Sequence, residues 1–450
     1  MQATDNACKN CSSRKTCKHI GLSGRVSVHE VRDYESEVRS YSRSYPFVLK
    51  KAQGAVVYTE DGVPYIDFLS GCGSLNYGHN EPSIKQAAFD YLLSDSVQMT
   101  LDIQSVARRT FMDVFQSVIL RPRGLNYKMQ LPGPTGSNAV EAAVKLARKV
   151  TGRTNVVAFT NAFHGCSLGS LALTGSEHHR AASEALLSHV FRQPFDGYFG
   201  PGVDTAAQLR RLLSDPSSGI SKPAAIIFET VQGEGGLNVA SVEWAKSIAQ
   251  IAREFDILVI VDDIQAGCGR TGTFFSFESL GIEPDIVTVS KSLSGFGLPL
   301  SLVLLRPDLD VWQPGEHNGT FRGTSLSFVT ATAAIEKFWS TGALSREVFA
   351  KGQRARKVLH PVVEQYALAI KGKGLLIGVD TFSAEVAANV KDIAFKRNLI
   401  IECCGPRDEI IKLLPPLNID DETFEQGLTT LVNVLEDVLS EQAIPLARFA

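Results

Sequence analysis

The sequence predicts an α/β fold: a mostly parallel sheet with helices on both faces, followed by a smaller α+β domain. Three observations predict it. Short apolar runs alternate with helical stretches through the middle of the chain. The runs are too short and too apolar for anything but buried strands. After about residue 335 the pattern changes to helices around two short strands.

Residues 1–30 are polar, rich in Lys, Ser and Cys, and read as a leader outside the fold. Residues 31–85 form a segment expected to join the small domain. Within it, "GAVVYTEDGVPYIDFLSG" (54–71) reads as two strands joined by "EDG", a hairpin signal. Residues 86–335 are the expected large domain. There "SNAVEAAVKLARKV" (137–150) carries Ala139, Val140, Ala143, Val144, Ala147 and Val150 at helical spacing. "NVVAFT" (155–160), "AAIIFET" (224–230), "ILVIVDD" (257–263), "DIVTVS" (285–290) and "LSLVLL" (300–305) read as strands, and "VEWAKSIAQIAREF" (242–255) as a helix. Residues 336–450 form the expected small α+β domain, with helices flanking "GLLIGVD" (374–380) and "LIIECCG" (399–405). No internal repeat is present.

Composition narrows the function. The 450 residues are 44% hydrophobic and 21% charged, and the net charge is −3, so a nucleic-acid or membrane surface is not the expected partner. No apolar run reaches the ~20 residues that span a bilayer. The N-terminus has no signal-peptide core, and a cytoplasmic location is expected. Of the eight cysteines, Cys8, Cys11 and Cys17 crowd the leader beside His19. That spacing resembles a metal site, but it is short and no second pair follows, so a flexible polar leader is the expectation and no metal is expected. Cys72, Cys166, Cys268, Cys403 and Cys404 are expected to be small buried hydrophobes.

Ligands of open α/β sheets bind beyond the carboxyl ends of the strands. Three such ends carry four polar groups: Glu229 and Glu234 after "AAIIF", Asp262 after "ILVIV", and Lys291 after "DIVTV". "GPTGSN" (133–138) opens a helix, where free N–H groups and the helix dipole suit a phosphate; Ser137 or Asn138 acting as a plain cap is the alternative. A lysine at the mouth of a dry strand is a nucleophile toward aldehydes, and otherwise a snorkelling lysine. Lysine, phosphate cradle and carboxylate together are the requirements of pyridoxal 5′-phosphate.

"FHG" (163–165), "QGEGG" (232–236), "DDIQAGCGRTG" (262–272), "SKSLSGFGLPL" (290–300) and "GTFRGTSLSF" (319–328) occur in the order of the class III, ω-amino-acid type, pyridoxal-phosphate aminotransferases, which the chain resembles from about residue 40 to about residue 440. Within that class "GSLNYGHNEP", "LPGPTGSNAVEAAVKLARKVTGR" and "EHNGTFRG" are most similar to the diaminobutyrate–2-oxoglutarate group. The resemblance implies a fold type I transferase with a seven-stranded-type sheet, and exchange of a terminal amino group between diaminobutyrate or aspartate 4-semialdehyde and glutamate or 2-oxoglutarate. It implies that Lys291 bonds the cofactor and moves the proton. Asp262 would pair with the ring nitrogen, Gln265 approach the ring hydroxyl, and Phe163, beside His164, stack on the ring. Gly136 and Ser137 would hold the phosphate, and Thr320 reach the phosphate of a neighbouring subunit in a homodimer. Glu234 would help select substrates. Two positions depart from the class: Cys166 follows "FHG" where many members carry Arg, and Lys412 precedes "PPL" where many carry Arg. Lysine lacks the bidentate fork. Arg322 is therefore an expected second carboxylate grip, or else a salt bridge within its loop. Other amino donors (ornithine, 4-aminobutyrate, a carrier-bound amine) and a racemase or aminomutase on the same fold remain the alternatives.

Overall fold

A computed structural model describes residues 34–181, 183 and 186–443. The leader with Cys8, Cys11, Cys17 and His19 lies outside the described residues. Residues 1–48 and 49–450 are two separate units. In the first, one helical turn at Tyr41–Ser44 precedes Tyr45 and Phe47, whose rings stack at 6.2 Å.

The second unit opens with three antiparallel strands, β1 (Leu49–Gln53), β2 (Val56–Thr59) and β3 (Pro64–Asp67), the last two being the expected hairpin. Helices α1 (Pro82–Leu93) and α2 (Val106–Val114) lead to β4 (Lys128–Gln130), α3 (Gly136–Thr151), β5 (Val156–Phe159), β6 (Val190–Gln193), α4 (Thr205–Ser214) and β7 (Ala225–Phe228). Then come α5 (Val242–Glu254), β8 (Leu258–Asp262), β9 (Ile286–Val289) and β10 (Leu302–Leu305). The seven-stranded sheet runs β4-β10-β9-β8-β7-β5-β6. Only β10 runs against the others, pairing antiparallel with β9 and β4.

The alternation of side chains explains why these strands are apolar throughout. Val156, Ala225, Ile227, Ile260, Ile286 and Val303 face α3, whose Ala139, Ala143, Leu146 and Ala147 let helix and sheet approach closely. Their neighbours Val157, Phe159, Ile226, Phe228, Val261 and Val287 face the opposite core, which includes Trp244 and Ile248 of α5. With both faces dry, the central strands are apolar almost to their ends, with the buried Thr288 of β9 as the exception. Polar groups therefore collect at the carboxyl ends.

Beyond the sheet, α6 (Ser325–Trp339) and α7 (Ala343–Gln365) lead to β11 (Ala369–Lys373), β12 (Leu376–Asp380), α8 (Ala384–Lys396), β13 (Leu399–Ile400), β14 (Glu402–Cys404), β15 (Ile410–Leu413) and α9 (Asp421–Ala443). The apolar run 399–405 is not one strand. β13 pairs parallel with β3, whereas β14 pairs antiparallel with β15 in the four-stranded order β11-β12-β15-β14. Ile401, fully buried, marks the switch between sheets. Among the described residues no helix is long and apolar enough to cross a membrane.

Candidate active site

A cavity of about 190 Å³ opens at the carboxyl ends of the sheet, lined by Gly136, Ser137, Phe163, His164, Glu229, Glu234, Asp262, Gln265 and Lys291, among others. Eight of the expected site residues thus meet in one place, and Glu229 joins them. Lys412 stands directly behind, with its amine 2.8 Å from Glu234. Thr320 and Arg322 do not line it. Thr320 is exposed in the turn Thr320–Gly323, and Arg322 pairs with Asp102 beside a second cavity of about 430 Å³.

Lys291 is the first residue after β9 to leave the extended path, with φ +47. Its flanking serines fix that turn. Ser290 Oγ donates to the Leu300 carbonyl (2.8 Å), and Ser292 Oγ donates to the Gly73 carbonyl (2.8 Å) and accepts from Asn76 N–H (2.9 Å). The Lys291 amine donates to the Cys72 carbonyl at 2.9 Å. Gly295, at φ +73, closes the turn where a Cβ would lie 2.4 Å from that of Ala334.

The paired aspartates at the end of β8 have different tasks. Asp263 points into the core and accepts from Ser276 N–H and Oγ; burial pushes its carboxyl up to about 7. Asp262 points into the cavity. His164 Nδ1 lies 2.7 Å from its Oδ2, and Ile264 N–H donates to Oδ1 at 3.2 Å. Burial disfavours the charged His164 ring, but the Asp262 bond and charge outweigh it, and its pKa sits above the usual value. Burial, with the Asp262 charge adding, raises Glu229 to about 7. Glu229 ties two loops together, accepting from Phe163 N–H (2.9 Å) and Gly233 N–H (3.2 Å).

At the other wall Glu234 Oε1 accepts from Gln265 Nε2 (2.9 Å) and Lys412 Nζ (2.8 Å). Burial alone would raise the Glu234 carboxyl, but Lys412 and Lys291 hold it down at about 2. Burial works against the charge on Lys412, yet Glu234 and Glu402 keep its pKa well above normal.

The helix α3 begins with a capping box in which Thr135 Oγ1 accepts from Asn138 N–H. Ser137 is thus not the cap. The N–H groups of Gly136 and Ser137 meet no partner within the helix, as expected for the first turn. Gly136 and Gly165 admit no side chain: a Cβ on Gly136 would lie 2.9 Å from Ile264 Cδ1, and one on Gly165 2.2 Å from Ser137 Oγ. His164 Nε2 and Gln265 Oε1 are buried with no hydrogen-bond partner among the described residues. Buried polar atoms in this state mark a place for a polar ligand.

A sequence model described as aminotransferase class III matches residues 38–435. The chain belongs to the class III aminotransferases. It is 52% identical over 412 residues to a diaminobutyrate–2-oxoglutarate transaminase of Bordetella bronchiseptica, covering 91% of this chain and 95% of that one. A transaminase of the same name from Vibrio cholerae is 51% identical over 407 residues, covering 90% and 98%. Among solved structures an ornithine aminotransferase from Toxoplasma gondii is 25% identical with a TM-score of 0.78, covering 92% of this chain and 94% of that one. An aminotransferase from Bacillus anthracis, 23% identical over 91% of this chain and 98% of that one, has the same fold, with a TM-score of 0.80.

Sequence reasoning missed two residues of this aminotransferase site. Cys72 is half-buried, not core, and its Sγ lies 3.8 Å from Glu234 and 3.7 Å from Glu402. Glu402, in β14, lies opposite Lys412 in strand register and 3.0 Å from its amine. A lone charge in an apolar strand, "LIIECCG", was the available signal. Cys166 is exposed and Cys403 half-buried, so only Cys268 and Cys404 fit the expectation of buried cysteines.

Proposed function

We propose that the chain is a pyridoxal-phosphate-dependent transaminase that moves the terminal amino group of L-2,4-diaminobutyrate to 2-oxoglutarate, and back from glutamate to aspartate 4-semialdehyde. The observation that carries the reading is the convergence of Lys291, Asp262 and the α3 N-terminus on one cavity whose far wall holds Glu234 and Lys412. The named relatives at 51–52% identity support the choice of substrate.

The residues fit the cofactor. Gly136 and Ser137 offer N–H groups to the phosphate, and Gly165 leaves it room. Gln265 Oε1 stands ready for the ring hydroxyl while its amide is held by Glu234, and Phe163 is placed for the ring face. The cofactor, when bound, supplies an aldehyde for amines and a ring that accepts an electron pair. Asp262 keeps a proton on the ring nitrogen, with His164 holding the carboxylate in place and charged. Lys291 gives the covalent attachment and moves a proton at the amine-bearing carbon. Glu229 sets the backbone on both sides of that site through Phe163 and Gly233.

The far wall meets two different substrates. Diaminobutyrate, with its C4 amine toward Lys291, presents an ammonium and a carboxylate there. 2-Oxoglutarate presents a carboxylate alone. Lys412 is the cation that lets Glu234 face both, and its place beside Glu234 makes Arg322 unnecessary for that role. We further propose a cytoplasmic homodimer. Thr320 and the exposed apolar residues Leu101, Ile103, Val106 and Phe321 are the surface that would meet the second subunit.

A donor panel tests the reading. Purified enzyme with added cofactor and 2-oxoglutarate should form glutamate fastest from diaminobutyrate. Faster turnover with ornithine would favour the alternative suggested by the Toxoplasma likeness. No glutamate from any amine would sink the transaminase reading.

A further inference from the structure

The loop that brings Phe163, His164 and Gly165 to the cavity is followed by a short helix, Leu168–Leu173. That helix is fastened at both ends. Its N-cap is Ser167, a residue type that ordinarily accepts from the first-turn N–H groups. Here the Ser167 hydroxyl makes no such bond and donates instead to Glu141 Oε1 at 2.7 Å. The same oxygen accepts from Gly169 N–H (2.9 Å) and Ser170 N–H (3.1 Å), so a carboxylate from α3 caps the helix in place of its own serine. At the other end, the wholly buried Thr174 Oγ1 accepts from His164 N–H and donates to the Gly165 carbonyl, both at 3.0 Å. Gly175 N–H adds a bond to the Ala162 carbonyl at 2.7 Å. Glu141 lies one turn beyond Ser137 on the same face of α3. The cavity loop is thus tied, through this helix, to α3 just behind its N-terminus. The fit is tightest at Gly169, where a Cβ would lie 2.1 Å from Glu141 Oε2.

We infer that Glu141 is a positioning residue for the cofactor, setting the spacing between the phosphate cradle at Gly136 and Ser137 and the ring face at Phe163. The inference rests on the transaminase reading for its ligand. The phosphate and the ring of pyridoxal 5′-phosphate are covalently joined, so the two parts of the protein that meet them must stand at one fixed separation. The cradle belongs to α3, whereas Phe163 follows β5, and Cys166, Ser167 and Leu168 of the connecting segment are exposed. Left untied, that segment would be ordered only when the cofactor arrived, and the ordering entropy would be subtracted from the binding free energy. Glu141 orders it beforehand, through three hydrogen bonds to one carboxylate oxygen.

Titration of the full-length, cofactor-free protein with pyridoxal 5′-phosphate, read by the absorbance of the bound cofactor, tests this. Glu141→Ala should raise the cofactor Kd about tenfold, or ~1.4 kcal/mol. Glu141→Gln, which keeps an acceptor oxygen at the same reach, should stay within about threefold of wild type. Gly169→Ala would ordinarily strengthen a helix. Here its Cβ would displace the carboxylate, so it should weaken binding as Glu141→Ala does and add nothing further in the double variant. A residue that only stabilised the fold would lower the melting midpoints of loaded and cofactor-free protein alike and leave Kd unchanged. That result, an equal loss in Glu141→Gln, or additive losses in the double variant would overturn the inference. A second arm needs no cofactor. In cofactor-free protein Glu141→Ala should speed amide hydrogen exchange in residues 162–170 several-fold and leave β7 and β8 unchanged; unchanged exchange in 162–170 would overturn the inference as well. If Glu141→Ala does not fold, Gly169→Ala decides alone by the same two readouts. Should the wild-type protein bind no pyridoxal 5′-phosphate, the transaminase reading fails, and the exchange arm decides by itself whether Glu141 holds the loop.

Discussion

Replacing Lys412 by Met keeps the length of the side chain and deletes its charge. Two carboxylates are then left facing each other with no cation between them. Removing one partner from a buried ion pair costs about 3–5 kcal/mol. Here the lower end applies, because Glu234 keeps 30% of its side-chain surface and can draw on water in the cavity. With ~2.1 cal/mol/K of unfolding entropy per residue over about 400 folded residues, a loss of about 3 kcal/mol lowers the melting midpoint by roughly 4 °C. The pH dependence separates charge from packing. In the wild type the Glu234 carboxyl is held at about 2, below its unfolded value of 4.5, so its contribution is complete above pH 4.5 and lost as pH falls toward 2. Without Lys412, burial is opposed at Glu234 by Lys291 and the Gln265 hydrogen bond alone, so the folded-state value of its carboxyl rises. The penalty in the variant is then full at pH 8 and shrinks as protons bind on the way to pH 5. Thermal melts of both proteins at each half unit from pH 5 to pH 8 measure this. The gap between them should narrow toward pH 5, and Glu402→Gln added to Lys412→Met should recover about half of the loss at pH 8. A gap that is constant across the range would mean that Lys412 acts by packing alone, and the charge cluster would lose its place in the mechanism.

Lys291→Ala should abolish transamination with only a small change in stability, on the order of 1 kcal/mol, because among the described residues its amine makes one hydrogen bond, to the Cys72 carbonyl; turnover near the wild-type rate refutes this. Asp262→Asn should cut kcat by about a hundredfold or more with cofactor still bound, since the amide cannot hold a ring proton by charge; unchanged kcat with altered stability would make Asp262 structural. Gly165→Ala should release cofactor on gel filtration, because the new Cβ would lie 2.2 Å from Ser137 Oγ; full retention would place the phosphate elsewhere.

The large domain is legible in the sequence wherever function and fold use adjacent residues. The strands around Val261 and Val287 are apolar because both their faces are dry, so the polar residues Asp262 and Lys291 that follow them stand out at the ends. The α3 N-terminus is legible for the same reason: glycines and a cap precede a helical stripe. Its cap, Thr135 rather than Ser137, is decided by two residues of register. What is illegible depends on distance along the chain. Glu402 and Cys72 are 330 positions apart and meet because β13 joins β3 while β14, one residue later, joins β15. No periodicity marks such a change of sheet within "LIIECCG". Arg270 is similar. It is fully buried, donating to the carbonyls of Pro415 and Leu375 and to Asn76 Oδ1, so it fastens the segments around the site. Burial brings its pKa down to about 9.

The orientation of the donor is the claim on which the far wall and the dual use of Lys412 both depend. Diaminobutyrate labelled with ¹⁵N on the C4 amine alone, turned over with unlabelled 2-oxoglutarate, tests it in one measurement. The glutamate formed should carry the label quantitatively, with aspartate 4-semialdehyde as the other product. Unlabelled glutamate would mean that the α-amine reaches Lys291 instead, and that Glu234 and Lys412 do not read the zwitterionic end of the donor.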